Sequence, residues 1–200
     1  FFSCNQDIIS EEIVATEFQD AEKDSLVVLV KDLNRQGTVA RNSADYQEAL
    51  NLHFRALNLA ETAKDTLGQI FALNNIGTDL RRTYSNIEAS TYHYLALELS
   101  NNNNQYLRMR SMAMNGLGNI FLALNKIEQA ESYFQQALSI EKGLDNTLGE
   151  AINYANLAEA YKINNDLDSA LHYYQKSLEK NIIINSDIGE AICKRAMGLI

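Results

Sequence analysis

The stretch Met114–Ala137, MNGLGNIFLALNKIEQAESYFQQA, contains the pattern that decides the fold of this chain. Small and large apolar residues alternate along it, at Leu117, Gly118, Phe121, Ala130, Phe134 and Ala137. A side chain larger than a methyl group at the small positions would push two crossing helices apart. The pattern therefore predicts two antiparallel helices that cross closely.

Similar patterns recur about 40 residues away in both directions. They divide the chain into helix pairs over residues of about 24–64, 65–103, 104–145 and 146–186, with a partial repeat over 187–200. Self-similarity at a fixed period is the sequence signature of repeat architectures. The links are short and rich in Asn, Ser and Asp, and short links make neighbouring helices antiparallel. We therefore predict an all-α fold, an α-solenoid of antiparallel helix pairs.

The composition supports a helical chain and argues against several functions. The 200 residues include no proline and 9 glycines, and 46% are apolar, which is enough for a core. The formal net charge is −9 and no block of like charges stands out, which argues against a general nucleic-acid binder. No stretch approaches 18 consecutive apolar residues, so we expect no membrane-spanning helix.

Residues 1–23 are interpreted as a leader. An apolar start up to Cys4, followed by polar residues, resembles the end of a bacterial lipoprotein signal peptide. Cys4 is then a lipidation candidate, and the alternative is a chance cysteine at a cut end. Residues 7–22 predict a short amphipathic helix that covers the first repeat. Because the chain begins with phenylalanine and ends inside a repeat, we expect a fragment or a processed form.

Capping patterns predict where the helices start. Thr66, Thr147 and Asp187 each precede a Glu or Gln by three residues at the head of a first helix. Asp45 and Asn125 do the same for second helices. Such a pair satisfies two backbone N–H groups reciprocally. We therefore predict these five residues as N-caps.

The spacing within Met114–Ala137 resembles the tetratricopeptide repeat, and the resemblance covers about residues 24–200. The repeats here have about 40 residues rather than roughly 34, and the closing proline is missing. The added residues predict helices of roughly 16–18 residues, about 25 Å long. The resemblance implies a right-handed superhelix. Such long repeats resemble those of kinesin light chains, a spindle-orientation adaptor and bacterial peptide-sensing regulators, in which the concave side holds an extended peptide.

Together with the lipoprotein-like start, the chain resembles the amino-terminal sensing region of regulators in the Bacteroides group. In those proteins the repeats precede a transmembrane segment and a histidine kinase or DNA-binding domain, as in two-component systems. The resemblance implies a location on the periplasmic side of the cell envelope, with membrane attachment through Cys4 or through segments outside this chain. The alternative location is the cytoplasm.

The resemblance also implies which residues line the concave groove. Several are asparagines, namely Asn34, Asn74, Asn75, Asn115, Asn119 and Asn156. A row of amides can hold the N–H and C=O groups of an extended peptide without reading its side chains. Asn75, Asn119 and Asn156 match such an asparagine ladder best by position. The alternative is that these amides bond the backbone or neighbouring helices, or face water.

Three arginines make the amino-terminal half of this groove locally basic: Arg41, Arg81 and Arg82. The planar guanidinium group of arginine can bind a carboxylate with two parallel hydrogen bonds. An acidic peptide or a carboxyl-terminal tail is therefore one hypothesis for the ligand. The alternative is that Arg41 and Arg81 form ion pairs within the chain, with Asp45, Asp79 or Glu88 as partners.

No residue pattern points to catalysis or to a metal. His53 and His93 occupy the packing position held by Phe134 in the template repeat, so we expect them in the core, and we expect His172 to face solvent. None has a cysteine, serine or carboxylate relay at helical spacing. Together with the resemblance, this leads us to expect a non-catalytic scaffold without a cofactor that binds a peptide or protein segment, as the sensing region of a larger bacterial signalling protein. The alternative is a structural adaptor for assembly or oligomerisation.

Overall fold

The computed structural model describes residues 4–101 and 103–200, with side chains from Lys23 onward. This part of the chain contains α-helices, one 3₁₀ helix at Asn104–Tyr106 and no strand, so the all-α prediction is confirmed. The helices are α1 Cys4–Asn42, α2 Tyr46–Thr62, α3 Thr66–Arg82, α4 Asn86–Ser100, α5 Leu107–Ala123, α6 Ile127–Gly143, α7 Thr147–Ile163, α8 Leu167–Ile183 and α9 Asp187–Met197. Six of them have 17 residues, which confirms the predicted length of about 25 Å.

The first helix is longer than the sequence suggests. Residues 7–22 are not a separate helix but part of α1, which has 39 residues and is about 58 Å long. The side chains of residues 1–22 lie outside the described residues, and so do the lipidation of Cys4 and the proposed covering of the first repeat. Where the structure describes the chain, no helix is long and apolar enough to cross a membrane.

The odd-numbered helices form the inner layer of the solenoid. Each helix packs against the next, and α1, α3, α5 and α7 also contact one another in series, whereas the even-numbered helices lack comparable contacts among themselves. Closer spacing on one side curves a stack of helix pairs toward that side. The odd-numbered helices therefore line the concave face, as the resemblance implies.

The small residues of the template repeat allow the helices to cross closely. The ring of Phe134 on α6 is fully buried against α5, and a Cβ atom built on Gly118 would lie 2.5 Å from its Cε1. Phe134 also packs in a cluster with Tyr154 and Leu157 of the next helix pair. Each repeat thus completes the core of its neighbour, and the fold propagates along the chain.

Seven links between helices share one backbone geometry. Each contains a residue other than glycine with a φ between 50° and 64°, at Ala44, Lys64, Tyr84, Asn125, Asp145, Asn165 and Asn185. The N–H of the following residue donates to a carbonyl five positions back, as from Asp65 to the oxygen of Ala60 at 2.8 Å. This is the Schellman arrangement, which satisfies the last carbonyls of one helix just before the next begins.

These turns correct the predicted helix starts. The residues that cap α3, α7 and α9 are Asp65, Asn146 and Ser186, each one position before the predicted Thr66, Thr147 and Asp187. Asn125 is the left-handed residue of its turn, and Lys126 takes the cap position of α6. The left-handed residue ends the preceding helix and so fixes the cap at the next position. The prediction for Asp45 is confirmed, since its side chain accepts from the N–H of Glu48 at 3.1 Å.

The link between α4 and α5 is built differently. Its described residues include none with a positive φ, and the 3₁₀ helix lies within it. The guanidinium group of Arg110 on α5 donates to the backbone oxygens of Ser100 and Asn101, with Nε 3.1 Å from the oxygen of Ser100. A side chain therefore satisfies the carbonyls at the end of α4 that a backbone turn satisfies elsewhere.

Candidate functional site

A groove on the concave face crosses three odd-numbered helices, α3, α5 and α7, and has a volume of about 210 Å³. We call it the central groove, and its polar lining includes Thr78, Arg81, Asn115, Asn119, Glu141 and Asn153. Three of the predicted site residues, Arg81, Asn115 and Asn119, therefore lie together. Glu141 and Asn153 were not predicted as site residues.

The amides of the central groove are linked by hydrogen bonds. Nδ2 of Asn119 donates to the backbone oxygen and to Oδ1 of Asn115, both at 2.9 Å. Nδ2 of Asn115 donates to Oδ1 of Asn153, also at 2.9 Å, and Asn153 donates to the backbone oxygen of Gly149. Asn115 and Asn119 are half-buried rather than buried. Since the bonds recorded for Asn119 use its nitrogen, its amide oxygen is available to accept a hydrogen bond.

Arg81 brings a positive charge to the central groove. No carboxylate among the described side chains lies within 4.0 Å of it. With these side chains Arg81 therefore does not form the intramolecular ion pair that was the alternative to ligand binding. Partial burial, and secondarily the charge of the neighbouring Arg82, lower the pKa of the Arg81 guanidinium. Arg82 itself is exposed. Arg81 is therefore a partly desolvated cation with no matching anion among the described side chains.

The amino-terminal candidates are engaged within the protein. Asn34, Arg41, His53, Asn75 and Asp79 form a cluster that joins α1, α2 and α3, and we call it the Asp79 cluster. In it, Arg41 Nη1 donates to Asp79 Oδ1 at 2.9 Å, and Nδ2 of Asn75 donates to Oδ1 of Asn34 at 3.1 Å. Arg41 therefore forms an ion pair within the chain, with Asp79 as its partner, which is the alternative to ligand binding that the sequence left open. Ligand contact through Asn34 or Asn75 would require these buried bonds to break.

Asn74 and Asn156 differ in their hydrogen bonding. Asn74 is buried, and it donates to the backbone oxygen of Met109 at 3.1 Å and accepts from Nδ1 of His93 at 3.1 Å. Asn156 is half-buried, and its Nδ2 is buried without a hydrogen-bond partner in the described structure. Asn75 precedes Gly77 by two residues, whereas Asn119 follows the equivalent Gly118 by one. The three best-matched asparagines are therefore not in the same register, and they do not form one regular row.

A second groove lies between α1 and α3 and has a volume of about 370 Å³. Its lining includes Val30, Leu67 and Phe71 together with Lys31 and Arg35. Arg35 donates to Asp32 on its own helix at 2.7 Å, and hydrogen bonds from Arg35 and Gln36 lower the pKa of the Asp32 carboxyl. The ion pair of Arg35 with Asp32 therefore neutralises part of the positive charge of this second groove.

The histidines lie where the packing pattern predicts. His53 and His93 are buried, and His172 is exposed. The ring of His93 fits between α3 and α5, where a Cβ atom built on Gly116 would lie 2.3 Å from its Cε1. Burial, and secondarily the charge of Arg81, lower the pKa of His93 to about 3. His93 is therefore neutral near pH 7, with Nδ1 donating to Asn74 and Nε2 without a partner in the described structure.

Comparison with solved structures shows the same fold in other proteins. BtubC (BKLC) from P. vanneervenii has a TM-score of 0.71 and 21% identity, over 99% of this chain and 85% of that chain. A Rap protein complexed with Competence and Sporulation Factor has a TM-score of 0.77 and 17% identity, over 84% and 46%. Aspartyl phosphate phosphatase F from Bacillus subtilis has a TM-score of 0.68 and 14% identity, over 88% and 46%. This chain thus spans less than half the length of the last two proteins.

Comparison of the sequence assigns the family. No curated protein matches the chain. A family model described as "Tetratricopeptide repeat" matches residues 69–142 and 108–180, which together make up more than half of the chain. A second model with the same description matches residues 33–67. The chain therefore belongs to the tetratricopeptide repeat family, and its helical repeats form a protein-interaction scaffold.

Proposed function

We propose that this chain binds an extended peptide or protein segment in the central groove, as the sensing region of a larger bacterial signalling protein. The observation that carries the proposal is the set of polar groups with unused capacity on the concave face. They are the amide oxygen of Asn119 and the guanidinium group of Arg81, which has no anion within 4.0 Å in the described structure. Unused polar groups in a concave site are the ordinary basis of ligand recognition.

The chemistry of these groups suits a polypeptide ligand. The oxygen of Asn119 can accept a backbone N–H, which fixes an extended segment without selecting its side chains. The guanidinium group of Arg81 can bind a carboxylate with two parallel hydrogen bonds, from an acidic side chain or a carboxyl terminus. Because this arginine is partly desolvated, the attraction is less weakened by water than at an exposed site.

The sensing role is supported by likeness and by sequence. The Rap protein that shares this fold was crystallised with Competence and Sporulation Factor, and its fold superposes on most of this chain. The lipoprotein-like residues before Cys4 support a location at the outer side of the cytoplasmic membrane. Incorporation of labelled palmitate into the full-length protein, and its loss in Cys4→Ser, tests the anchor. An unlabelled wild-type protein rejects it.

Peptide selection tests the binding proposal. Peptides are selected from a displayed random library, and their dissociation constants are measured by fluorescence anisotropy. The double variant Asn119→Ala with Arg81→Gln is expected to bind at least about tenfold more weakly, since loss of a charged hydrogen bond alone costs roughly 1.5–3 kcal/mol. Asn58→Ala changes an exposed residue of α2 and is the matched control. Failure to select any peptide, or equal affinity of the double variant, contradicts the proposal.

A further inference from the structure

We infer that Glu141 is the contact in the central groove for a cationic group of the bound segment, an ammonium or a guanidinium. The inference rests on the proposed function and adds to it the charge of the ligand at one end of the groove. Glu141 lies in the last turn of α6 and lines the groove, although the residue is only 4% exposed.

The carboxylate of Glu141 accepts a hydrogen bond from an amide and has no cationic side chain beside it among the described residues. Its Oε2 accepts from Nδ2 of Asn146 at 2.6 Å, while no lysine or arginine among the described residues lies within 4.0 Å. The remaining residues 1–22 contain neither lysine nor arginine. Nearby Glu150 shows the usual arrangement, since it is also buried but pairs with Nζ of Lys180 at 2.9 Å.

The position of Glu141 makes its charge costly in the free protein. A carboxylate with little access to water loses solvation that one neutral amide replaces only in part. A bound cation would offset this loss of solvation. The arrangement is therefore better suited to the occupied groove than to the empty one.

The fold does not require a carboxylate at this position. Counted from the left-handed residue of the preceding turn, the equivalent positions in the other repeats hold Ala60, Ser100 and Asn181. All three are buried and uncharged. The third repeat alone places a charge at this position, where a methyl, a hydroxyl or an amide group stands in the other repeats. A residue that departs from the repeat at a cost in stability is a candidate for function.

The neighbouring helix leaves space for the carboxyl group. A Cβ atom built on Gly149, in the first turn of α7, would overlap the carboxyl group of Glu141. Gly189 holds the equivalent position beside Asn181, so this space is a feature of the repeat that the carboxyl group of Glu141 occupies. Arg81 lies in the last turn of α3, which runs parallel to α7. Both charges line the same groove, so a segment with one cation and one carboxylate can contact both.

Thermal stability tests the inference without any ligand. Glu141→Gln removes the charge and keeps the shape, so we expect the Tm to rise by about 2–4 °C, with Glu141→Ser as a second variant that copies Ser100. The matched Glu150→Gln removes the anion of an existing ion pair, so its Tm is expected to fall. If Glu141→Gln lowers the Tm as Glu150→Gln does, Glu141 is a structural residue and the inference is wrong.

Peptide selection tests the ligand side. Peptides from a random library with free amino termini are expected to carry a lysine, an arginine or their free amino terminus at one fixed place. Their affinity should drop at least about tenfold for Glu141→Gln. Acetylation of the amino terminus and replacement of the lysine by norleucine distinguish the two sources of the cation. Peptides that bind both proteins equally overturn the inference but leave the proposed function intact. If no peptide is selected, both are rejected.

Discussion

Replacing Asp79 by asparagine is expected to destabilise the amino-terminal repeats by about 3 kcal/mol. The carboxylate is fully buried and accepts from two donors, Arg41 Nη1 at 2.9 Å and His53 Nδ1 at 2.6 Å. Asparagine has nearly the same shape but only one acceptor oxygen, so one donor would face an amide nitrogen. Removing one partner of a buried ion pair costs about 3–5 kcal/mol. We expect the lower value because Arg41 keeps its bond to Asn75 and is 15% exposed.

The effect should be local, because each repeat of a solenoid contacts only its neighbours. Urea unfolding followed by circular dichroism gives the total loss, and hydrogen exchange shows where it falls. We expect faster exchange in α2 and α3 and unchanged exchange in α7 and α8. Asp45→Asn is the matched control, since it keeps an N-cap that asparagine serves equally well. A loss below about 1 kcal/mol, or faster exchange in α7 and α8 to the same degree, would refute the reasoning.

Three further changes test the turns, the buried histidine and the helix crossing. Tyr84→Gly should stabilise by about 1 kcal/mol in urea unfolding, since Tyr84 is 90% exposed and holds a φ of 64° that suits glycine. His93 has a folded-state pKa of about 3, below its ordinary 6.5, so its contribution is complete above pH 6.5 and is lost as the pH falls toward 3. Between pH 6.5 and 5 the wild type should lose about 1.5 kcal/mol more than His93→Gln, and parallel curves would contradict this. Gly118→Ala should lower the Tm because its Cβ would meet Phe134 at 2.5 Å, whereas Gly143→Ala, with open space around it, should raise it.

The fold could be predicted from the sequence because it depends on local spacing. The alternation of small and large residues around Gly118 places a glycine beside the ring of Phe134, and that contact recurs with His53 beside Gly37 and His93 beside Gly77. Helix starts were harder to predict. Asp65 and Thr66 both carry a suitable oxygen, and only the left-handed conformation of Lys64 decides between them. Lysine gives no sequence signal for that conformation.

The candidate site could be predicted only in part, because its contacts join residues far apart in the chain. The concave positions of Arg81, Asn115 and Asn119 follow from the resemblance to the tetratricopeptide repeat, which implies that the first helix of each pair lines the groove. The bond from Asn75 to Asn34 spans 41 positions and depends on the stagger between repeats, which no single sequence specifies. Glu141 lies on an even-numbered helix and was missed for that reason. Comparison of its position with Ala60 and Ser100 was the signal that could have identified it.

The unusual link between α4 and α5 has a mechanical consequence. At seven joints of the solenoid the angle between successive helices is set by backbone hydrogen bonds, which differ little from one sequence to another. At this joint the end of α4 is held by the guanidinium group of Arg110. The central groove spans α3 and α5, so its two walls belong to segments on either side of this joint. Arg110 therefore helps to set the width of the groove, together with the direct packing of α3 against α5.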